Sequence, residues 1–161
     1  MFNFIKNTTS QLRSITACQL CGIDHQSQHS LCLYCWENLP WLKQKITRQE
    51  MEILVTCHYK YPVDRIIQKF KYEHQLHYQL ILSGMLDELR FPKVQAIVPM
   101  PISKERIIER GFNQSVILAH HLAKHLNVPI WQPILRHAEH SQKGLSRIER
   151  LDNIENQFEI D

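Results

Sequence analysis

The sequence predicts an α/β chain in which a small metal-folded module precedes a parallel sheet flanked by helices. Two observations support this fold class. Four of the five cysteines lie in two Cys-x2-Cys pairs near the N-terminus. The remainder alternates short apolar runs with segments of helical period, as strand–helix units do. Only 4 glycines occur, and no glycine-rich phosphate loop or Gly-x-Ser-x-Gly elbow is present.

The N-terminal module is predicted from the spacing Cys18-x2-Cys21-x10-Cys32-x2-Cys35. Each pair can present two thiolates to one side of a tight turn, so both pairs can converge on one tetrahedral Zn2+. The alternatives are two disulfides or four unrelated buried thiols. Disulfides need an oxidising compartment, and no apolar signal-peptide core precedes Cys18. We predict a zinc module over residues 1–42 and a cytoplasmic location.

Composition limits the remaining possibilities. The 161 residues, 43% of them hydrophobic, suit a small module plus one modest domain. No apolar run approaches the roughly 20 residues of a membrane span, so no membrane insertion is expected. The 19 basic and 16 acidic side chains give a formal charge of +3. This mild excess argues against binding dominated by neutralisation of a phosphate backbone.

A second domain is predicted over residues 51–161, after a charged connector from Lys43 to Glu50. Met51 to Tyr61 has the β-branched and aromatic character of a strand, within which Cys57 is expected to be a buried small hydrophobe. Pro62 suits the first turn of a helix. The inward face of that helix is predicted to contain Ile66, Ile67 and Phe70.

Five further elements are predicted downstream. Residues 74–90 have the spacing of an amphipathic helix. Val94–Val98 and Val128–Trp131 are short apolar runs typical of buried strands. Ser103 can cap a helical turn, and Ser115–Leu126 is a longer helix. The predicted core positions of the 74–90 helix are Leu76, Leu80, Met85, Leu86 and Leu89.

The stretch from Pro99 to Gln114 is a second candidate site, because ligands of open α/β folds bind to loops that leave the carboxyl ends of strands. Arg106 and Arg110 lie one helical turn apart, where two guanidinium groups can hold a phosphate or pyrophosphate. Gly111 permits a left-handed turn. Alternatively, the arginines pair with neighbouring glutamates on a solvated surface, and the spacing alone favours neither interpretation.

Several motifs in this order resemble the ComF/GntX family. They are the two Cys-x2-Cys pairs, Val98-Pro99-Met100-Pro101, Arg110-Gly111-Phe112-Asn113-Gln114, and Gln142-Lys143-Gly144-Leu145-Ser146-Arg147 followed by Arg150, Asn153 and Phe158. The resemblance spans nearly the whole chain. It implies an N-terminal zinc ribbon joined to a type I phosphoribosyltransferase fold. It also implies a link to DNA uptake in naturally competent bacteria, or to the use of DNA as a nutrient.

The resemblance implies roles for individual residues as well. The zinc ligands would be Cys18, Cys21, Cys32 and Cys35. The pyrophosphate-side loop would contain Pro99, Pro101, Arg106, Arg110, Gly111, Asn113 and Gln114. The flexible loop over the active site would contain Gln142, Arg147 and Arg150. No residue receives a catalytic role, and the family pattern indicates no acceptor base.

One departure from the family pattern concerns the binding of phosphoribosyl pyrophosphate (PRPP). The family continues into a strand ending in paired aspartates and a Thr-Thr-Gly loop, which hold the ribose 5-phosphate. Here the sequence stops at Asp161. We therefore expect an incomplete type I phosphoribosyltransferase-like parallel sheet, from a fragment or a truncated gene, without transferase turnover. PRPP with Mg2+ would bind only to a complete domain.

Two other hypotheses compete with phosphoribosyl transfer. In the first, the chain is an accessory factor for DNA uptake whose zinc module and basic face contact single-stranded DNA or a helicase partner. The basic residues are Lys43, Lys45, Arg48, Lys60, Arg65, Lys69 and Lys71, although those near the helix after Pro62 also fit a solvated surface. The aromatic residues for base stacking are Trp36, Trp41, Tyr59 and Tyr61. In the second, the chain is a zinc-stabilised fragment without activity.

Overall fold

The structure, a computed structural model, describes residues 16–137, 146 and 157–160. Its elements in chain order are α1 (Leu33–Glu37), β1 (Trp41–Arg48), β2 (Met51–Cys57), α2 (Val63–Tyr72), a 3-10 turn (Leu76–Tyr78), α3 (Gln79–Asp87), α4 (Lys104–Arg110), α5 (Gln114–Leu126), β3 (Ile134–Arg136) and β4 (Phe158–Ile160). The predicted mixture of helices and strands is confirmed.

The chain divides into two compact units, one ending at Phe91 and the other beginning at Pro92. The predicted zinc module over residues 1–42 and second domain over 51–161 stay predictions. In the part of the chain that the structure describes, the longest helix is α5, with 13 residues. No described helix combines the length and apolar character needed to cross a membrane.

The first unit contains an antiparallel hairpin made of β1 and β2. Gln49 and Glu50 form its turn with φ of 47° and 65°, the left-handed region that tight two-residue hairpin turns use. Ile46 pairs with Ile53 across the ladder. The segment predicted to be a charged connector is therefore mostly strand β1. A strand with one solvent-exposed face can contain charged residues. The strand with which it pairs cannot be identified from its own sequence.

Helix α2 supplies much of the core of the first unit. It begins directly after Pro62, as predicted. Ile66 and Phe70 are each 1% exposed, and Ile67 is half-buried. Full burial of two side chains of this size contributes about 2 kcal/mol each from removal of apolar surface from water. The predicted inward face of α2 is thus confirmed for Ile66 and Phe70, which are almost completely buried.

The helix predicted over residues 74–90 is instead a 3-10 turn followed by α3. This break changes which residues face inward, because a 3-10 turn advances the chain differently from an α-helix. Met85 is buried as predicted, together with Ile81 and Leu82. The predicted core residues Leu76 and Leu80 are 43% and 52% exposed, so that part of the prediction was wrong.

The helices of the second unit begin where their capping residues predict. The Ser103 hydroxyl accepts a hydrogen bond from the Arg106 N–H at 3.4 Å and caps α4. Gly111 ends α4 in the left-handed region, at φ 75°, where glycine avoids the strain of a Cβ. Helix α5 then runs from Gln114 to Leu126, within one residue of its predicted start.

Sheet structure in the second unit is limited. Strands β3 and β4 pair antiparallel, from Ile134 with Ile160 to Arg136 with Phe158. The two runs predicted as parallel strands meet only at a parallel bridge between Ile97 and Ile130. The Ile97 N–H donates to Pro129 O at 3.0 Å, and the Trp131 N–H donates to Ile97 O at 2.9 Å. All sheets among the described residues are otherwise antiparallel.

Prolines next to the strand explain why the parallel pairing is limited to one bridge. Pro92 and Pro99 flank the run and have no N–H to donate to a ladder. Val94 and Val98 are 36% and 44% exposed. The predicted burial of residues 94–98 was therefore wrong for the described structure.

Candidate metal centre

The first Cys-x2-Cys pair lies in a tight turn closed by backbone hydrogen bonds. The Cys18 N–H donates to Asp24 O at 2.7 Å, and the Gly22 N–H donates to Cys18 O at 2.9 Å. The Leu20 N–H lies 3.4 Å from Cys18 Sγ and donates to it. Gly22 has φ 70°, which a residue with a Cβ rarely adopts. This turn directs Cys18 and Cys21 to the same side.

The second pair is formed by a hairpin turn that leads into α1. Gln28 and Leu31 form an antiparallel bridge, with His29 and Ser30 between them at φ 45° and 69°. Cys32 then caps α1, because its Sγ accepts the Cys35 N–H at 3.4 Å. The second cysteine pair therefore lies at the N-terminal end of a helix.

The two turns bring Cys18, Cys21, Cys32 and Cys35 together in what we call the cysteine cluster. Their four sulfur atoms all lie within 4.8 Å of one another, and Cys21 Sγ is 3.9 Å from Cys32 Sγ. A tetrahedral zinc site with Zn–S bonds of about 2.3 Å requires sulfur separations of about 3.8 Å. The predicted ligand set is therefore assembled in a geometry that can hold a metal ion.

The pKa values of three cluster thiols are shifted by their surroundings, and not all in the same direction. Burial raises the pKa of Cys18, but hydrogen bonds from backbone N–H groups, that of Cys21 foremost, outweigh it and lower the pKa to about 6. Burial raises the pKa of Cys32 and, more strongly, that of Cys35, where neighbouring cysteines add to the effect. A cation bound to the cluster would thus displace protons from the two buried thiols of the second pair.

The cysteine cluster is supported by an aromatic group within the same unit. Trp36 is 5% exposed, and the His29 ring packs against it with centroids 4.8 Å apart. Trp41 packs edge-on against Trp36 at 5.0 Å, and its Nε1–H donates to Trp36 O at 2.9 Å. Trp36 was predicted to stack on a nucleic-acid base. Its burial shows that this prediction was wrong and that Trp36 belongs to the core.

The second predicted site, from Pro99 to Gln114, is held together by Asn113. Its Oδ1 accepts the Ser115 N–H at 2.9 Å, which caps α5, and its Nδ2 donates to Met100 O at 3.0 Å. One side chain thus joins the proline-containing loop to the start of the next helix. The structural reason for an asparagine here is that it supplies an acceptor and a donor at once.

The arginines of this stretch have protein partners. Arg106 Nη1 pairs with Glu109 Oε2 at 2.9 Å, and Arg110 Nη1 donates to Gln114 Oε1 at 2.7 Å. The first pair matches the alternative in which these arginines meet neighbouring glutamates. Phosphate binding by this stretch stays a prediction. Gln142, Arg147 and Arg150 of the predicted flexible loop lie outside the described residues.

The predicted basic face divides into paired and solvent-facing parts. Lys43 pairs with Glu88 at 2.5 Å, and Lys45 pairs with Glu52 at 2.6 Å. Tyr59 and Tyr61 are 68% and 72% exposed, as base stacking would require. Tyr72, which was not among the aromatic residues predicted to stack on bases, is 64% exposed on α2. The signal was its position seven residues after Arg65, two turns along the same face.

Fold and site together define a class: a mixed helix-and-strand protein in which two turns build a four-cysteine cluster that can hold a metal ion. The chain is 30% identical over 162 residues to Competence protein F of Haemophilus influenzae, covering 93% of this chain and 66% of that protein. It is 30% identical over 148 residues to Competence protein ComFC of Bacillus subtilis, covering 88% and 59%. The chain belongs to the ComF family of competence proteins.

The chain spans 66% and 59% of the lengths of these two relatives. No family model matches it, and no solved structure matches it either. Membership of the ComF family therefore rests on sequence identity over most of this chain and on the cysteine cluster.

Proposed function

We propose that this chain is a zinc-dependent accessory factor for DNA uptake that contacts single-stranded DNA with an exposed tyrosine-containing surface of its first unit. The names of its relatives support a competence-related function. The observation that carries the DNA contact is the segment Tyr59-Lys60-Tyr61, in which two tyrosines that are mostly exposed flank an exposed lysine.

Zinc is the metal that we propose for the cysteine cluster. Four thiolates in a compact tetrahedral set favour zinc over hard cations such as Mg2+, which prefer oxygen. Sulfur would occupy all four positions, so no coordination site remains for a substrate. The metal would therefore stabilise the fold, and the DNA contacts would be made by side chains outside the cluster.

The proposed DNA surface continues from Tyr59-Lys60-Tyr61 onto the outer face of α2. Arg65 and Tyr72 are exposed on that face, opposite the buried Ile66 and Phe70. Aromatic rings stack on bases with little sequence preference, while lysine and arginine neutralise phosphates. We place the site here because Lys43 and Lys45 of the hairpin already pair with glutamates.

Fluorescence anisotropy with a labelled oligothymidylate, titrated at several salt concentrations, tests this proposal. Replacing both Tyr59 and Tyr61 by alanine should weaken binding at least about tenfold, because each stacked base contributes about 1–3 kcal/mol. The matched control is Tyr34→Ala, since Tyr34 is 70% exposed but has no basic neighbour in sequence. Absent or salt-independent binding by the unaltered chain would overturn the proposal and favour a protein partner, such as a helicase.

Phosphoribosyl transfer is a second candidate. It is supported by the order of the second unit, where a parallel bridge at Ile97 precedes a proline-containing loop anchored by Asn113. Ligand loops of α/β folds follow parallel strands in this way. We propose that the bridge belongs to a type I phosphoribosyltransferase-like sheet that binds PRPP with Mg2+. PRPP-dependent release of pyrophosphate by the purified protein would support this candidate, and absence of release would count against it.

We also propose a cytoplasmic location. All five cysteines are free thiols, and the cysteine cluster needs four of them reduced in order to bind zinc. Thiols persist in reducing compartments, whereas secreted proteins form disulfides. Fractionation of cells expressing a tagged chain would test the location; recovery in an oxidising compartment would contradict it.

A further inference from the structure

We propose that the cysteine cluster is a site of reversible oxidation by hydrogen peroxide, in which Cys21 reacts first and closes a disulfide with Cys32. This goes beyond the proposed contact with DNA, although it rests on the proposed metal. The disulfide would remove two of four sulfur ligands and release the metal. The chemistry follows from the exposure and positions of the cysteines.

Exposure singles out Cys21. It is the exposed member of the five cysteines, whereas Cys18 is 2%, Cys32 4% and Cys35 8% exposed. Peroxide must reach a sulfur atom directly in order to oxidise it, so site selectivity follows access as well as thiolate character. Cys21 meets the first condition through its exposure, and the proposed metal would keep it in the thiolate form.

Cys32 is the partner that the geometry favours. Its sulfur lies 3.9 Å from that of Cys21, and a disulfide requires about 2.05 Å. The two sulfur atoms therefore have only a short distance to move before they can bond. Gly22, which follows Cys21, has open space where a side chain would lie, so the turn that carries Cys21 is not tightly packed at this position.

The reaction balances in two steps. The Cys21 thiolate attacks one oxygen of hydrogen peroxide, the O–O bond breaks, hydroxide leaves, and Cys21 becomes a sulfenic acid. The Cys32 thiolate then attacks that sulfur, the S–S bond forms, and a second hydroxide leaves. Two thiolates have given two electrons to peroxide. Cys18 and Cys35 remain reduced, which is too few ligands for a four-sulfur site.

The test uses the full zinc-loaded chain and limiting hydrogen peroxide. Differential alkylation and peptide mass spectrometry should find a Cys21–Cys32 disulfide whose formation parallels zinc release to a colorimetric chelator. Dithiothreitol with added zinc should restore the original mass and metal content. Zinc release with Cys21 still alkylatable, a disulfide without Cys21 or Cys32, or resistance to excess peroxide would each overturn the proposal.

Two variants sharpen the result. Cys21→His keeps a zinc ligand, since three cysteines and one histidine form a common site, but removes the accessible sulfur; its zinc release by peroxide should be at least about tenfold slower. Cys57→Ala removes the buried cysteine outside the cluster and should leave the rate unchanged. If Cys21→His fails to retain zinc, the disulfide found in the unaltered chain still supports or contradicts the proposal. A Cys57→Ala chain that resists peroxide would contradict the assignment.

Discussion

The imidazole of His29 lies directly against the backbone of Gly84, in the space that a Cβ on residue 84 would occupy. His29 sits at the tip of the hairpin turn between Gln28 and Leu31, four residues before α1, and Gly84 is a buried residue of α3. The missing side chain of Gly84 therefore allows the second turn of the metal centre to pack on the helical core of the same unit. We therefore expect the stability of α3 to depend on the position of this turn, which leads into the second cysteine pair.

Gly84→Ala tests the link between the metal centre and α3. The added methyl group would meet the His29 ring, so the ring must move and its packing against Trp36 must change. Alanine itself is the better helix former, so any loss of stability reports the clash. We expect a loss of about 1–3 kcal/mol, typical of overpacking, measured as the free energy of unfolding in urea.

The control for that substitution is a double-mutant cycle with His29→Ala. Removing the ring makes room at residue 84, so Gly84→Ala should cost much less, or even stabilise, in the His29→Ala background. Contacting residues typically show coupling of about 0.5–3 kcal/mol. Additive effects would mean that the two residues do not act on each other.

Removal of the metal should unfold the region around the cysteine cluster. Structural zinc supplies folding free energy, because unfolded chains hold no preformed site. A chelator should lower the melting temperature and shift the tryptophan fluorescence, since Trp36 directly follows Cys35 in α1 and is buried. Added zinc should reverse both changes. A chain whose melting temperature ignores the chelator would refute a structural role for the metal.

Metal affinity should fall as the pH falls. The pKa values of Cys32 and Cys35 are raised by burial, so these thiols regain protons already near neutral pH once the metal leaves. The Cys18 thiol has a pKa of about 6 and stays deprotonated above that pH. Zinc release should therefore take up at least about two protons. Competition titrations at several pH values measure this number as a slope; a flat slope would contradict it.

Asn113→Asp separates the two roles of Asn113. The carboxylate can still accept the Ser115 N–H and cap α5, but it cannot donate to Met100 O. We expect α5 to stay intact and the loop around Met100 to exchange its amide hydrogens faster, with a loss of about 1 kcal/mol. Asn113→Ala loses the cap as well and should cost about 1 kcal/mol more. Hydrogen exchange by mass spectrometry distinguishes the two variants, and equal exchange in both would contradict separate roles.

Cys57 should make the zinc-loaded chain less stable at high pH. Burial raises its pKa to about 11, above the usual thiol value of about 8.5. A raised pKa means that the fold prefers the neutral thiol. That preference stabilises the chain below about pH 9 and is lost as the pH rises through 11.

The comparison that isolates this effect is Cys57→Ala. The variant leaves a small cavity and should be less stable at every pH, but its stability should decline less between pH 8 and 11. Urea midpoints at several pH values provide the measurement. Parallel declines in both chains would show that other groups cause the alkaline loss.

The sequence by itself determined the features that depend on near neighbours. The cysteine spacing predicted which four thiols the turns bring together. Pro62 and Ser103 predicted where helices start, and Gly111 predicted a left-handed turn. Hydrogen bonds of turns and caps join residues only a few positions apart, so the residue types that make them can be read directly along the chain.

Only the tertiary structure decided which faces are buried and which strands find partners. Strand β1 became visible through its pairing with β2, and the core face of α3 depended on the 3-10 turn before it. Trp36 was predicted to be able to stack on a base, but it is 5% exposed and packs against His29. Burial and strand pairing depend on partners distant along the chain, whose positions no local pattern specifies.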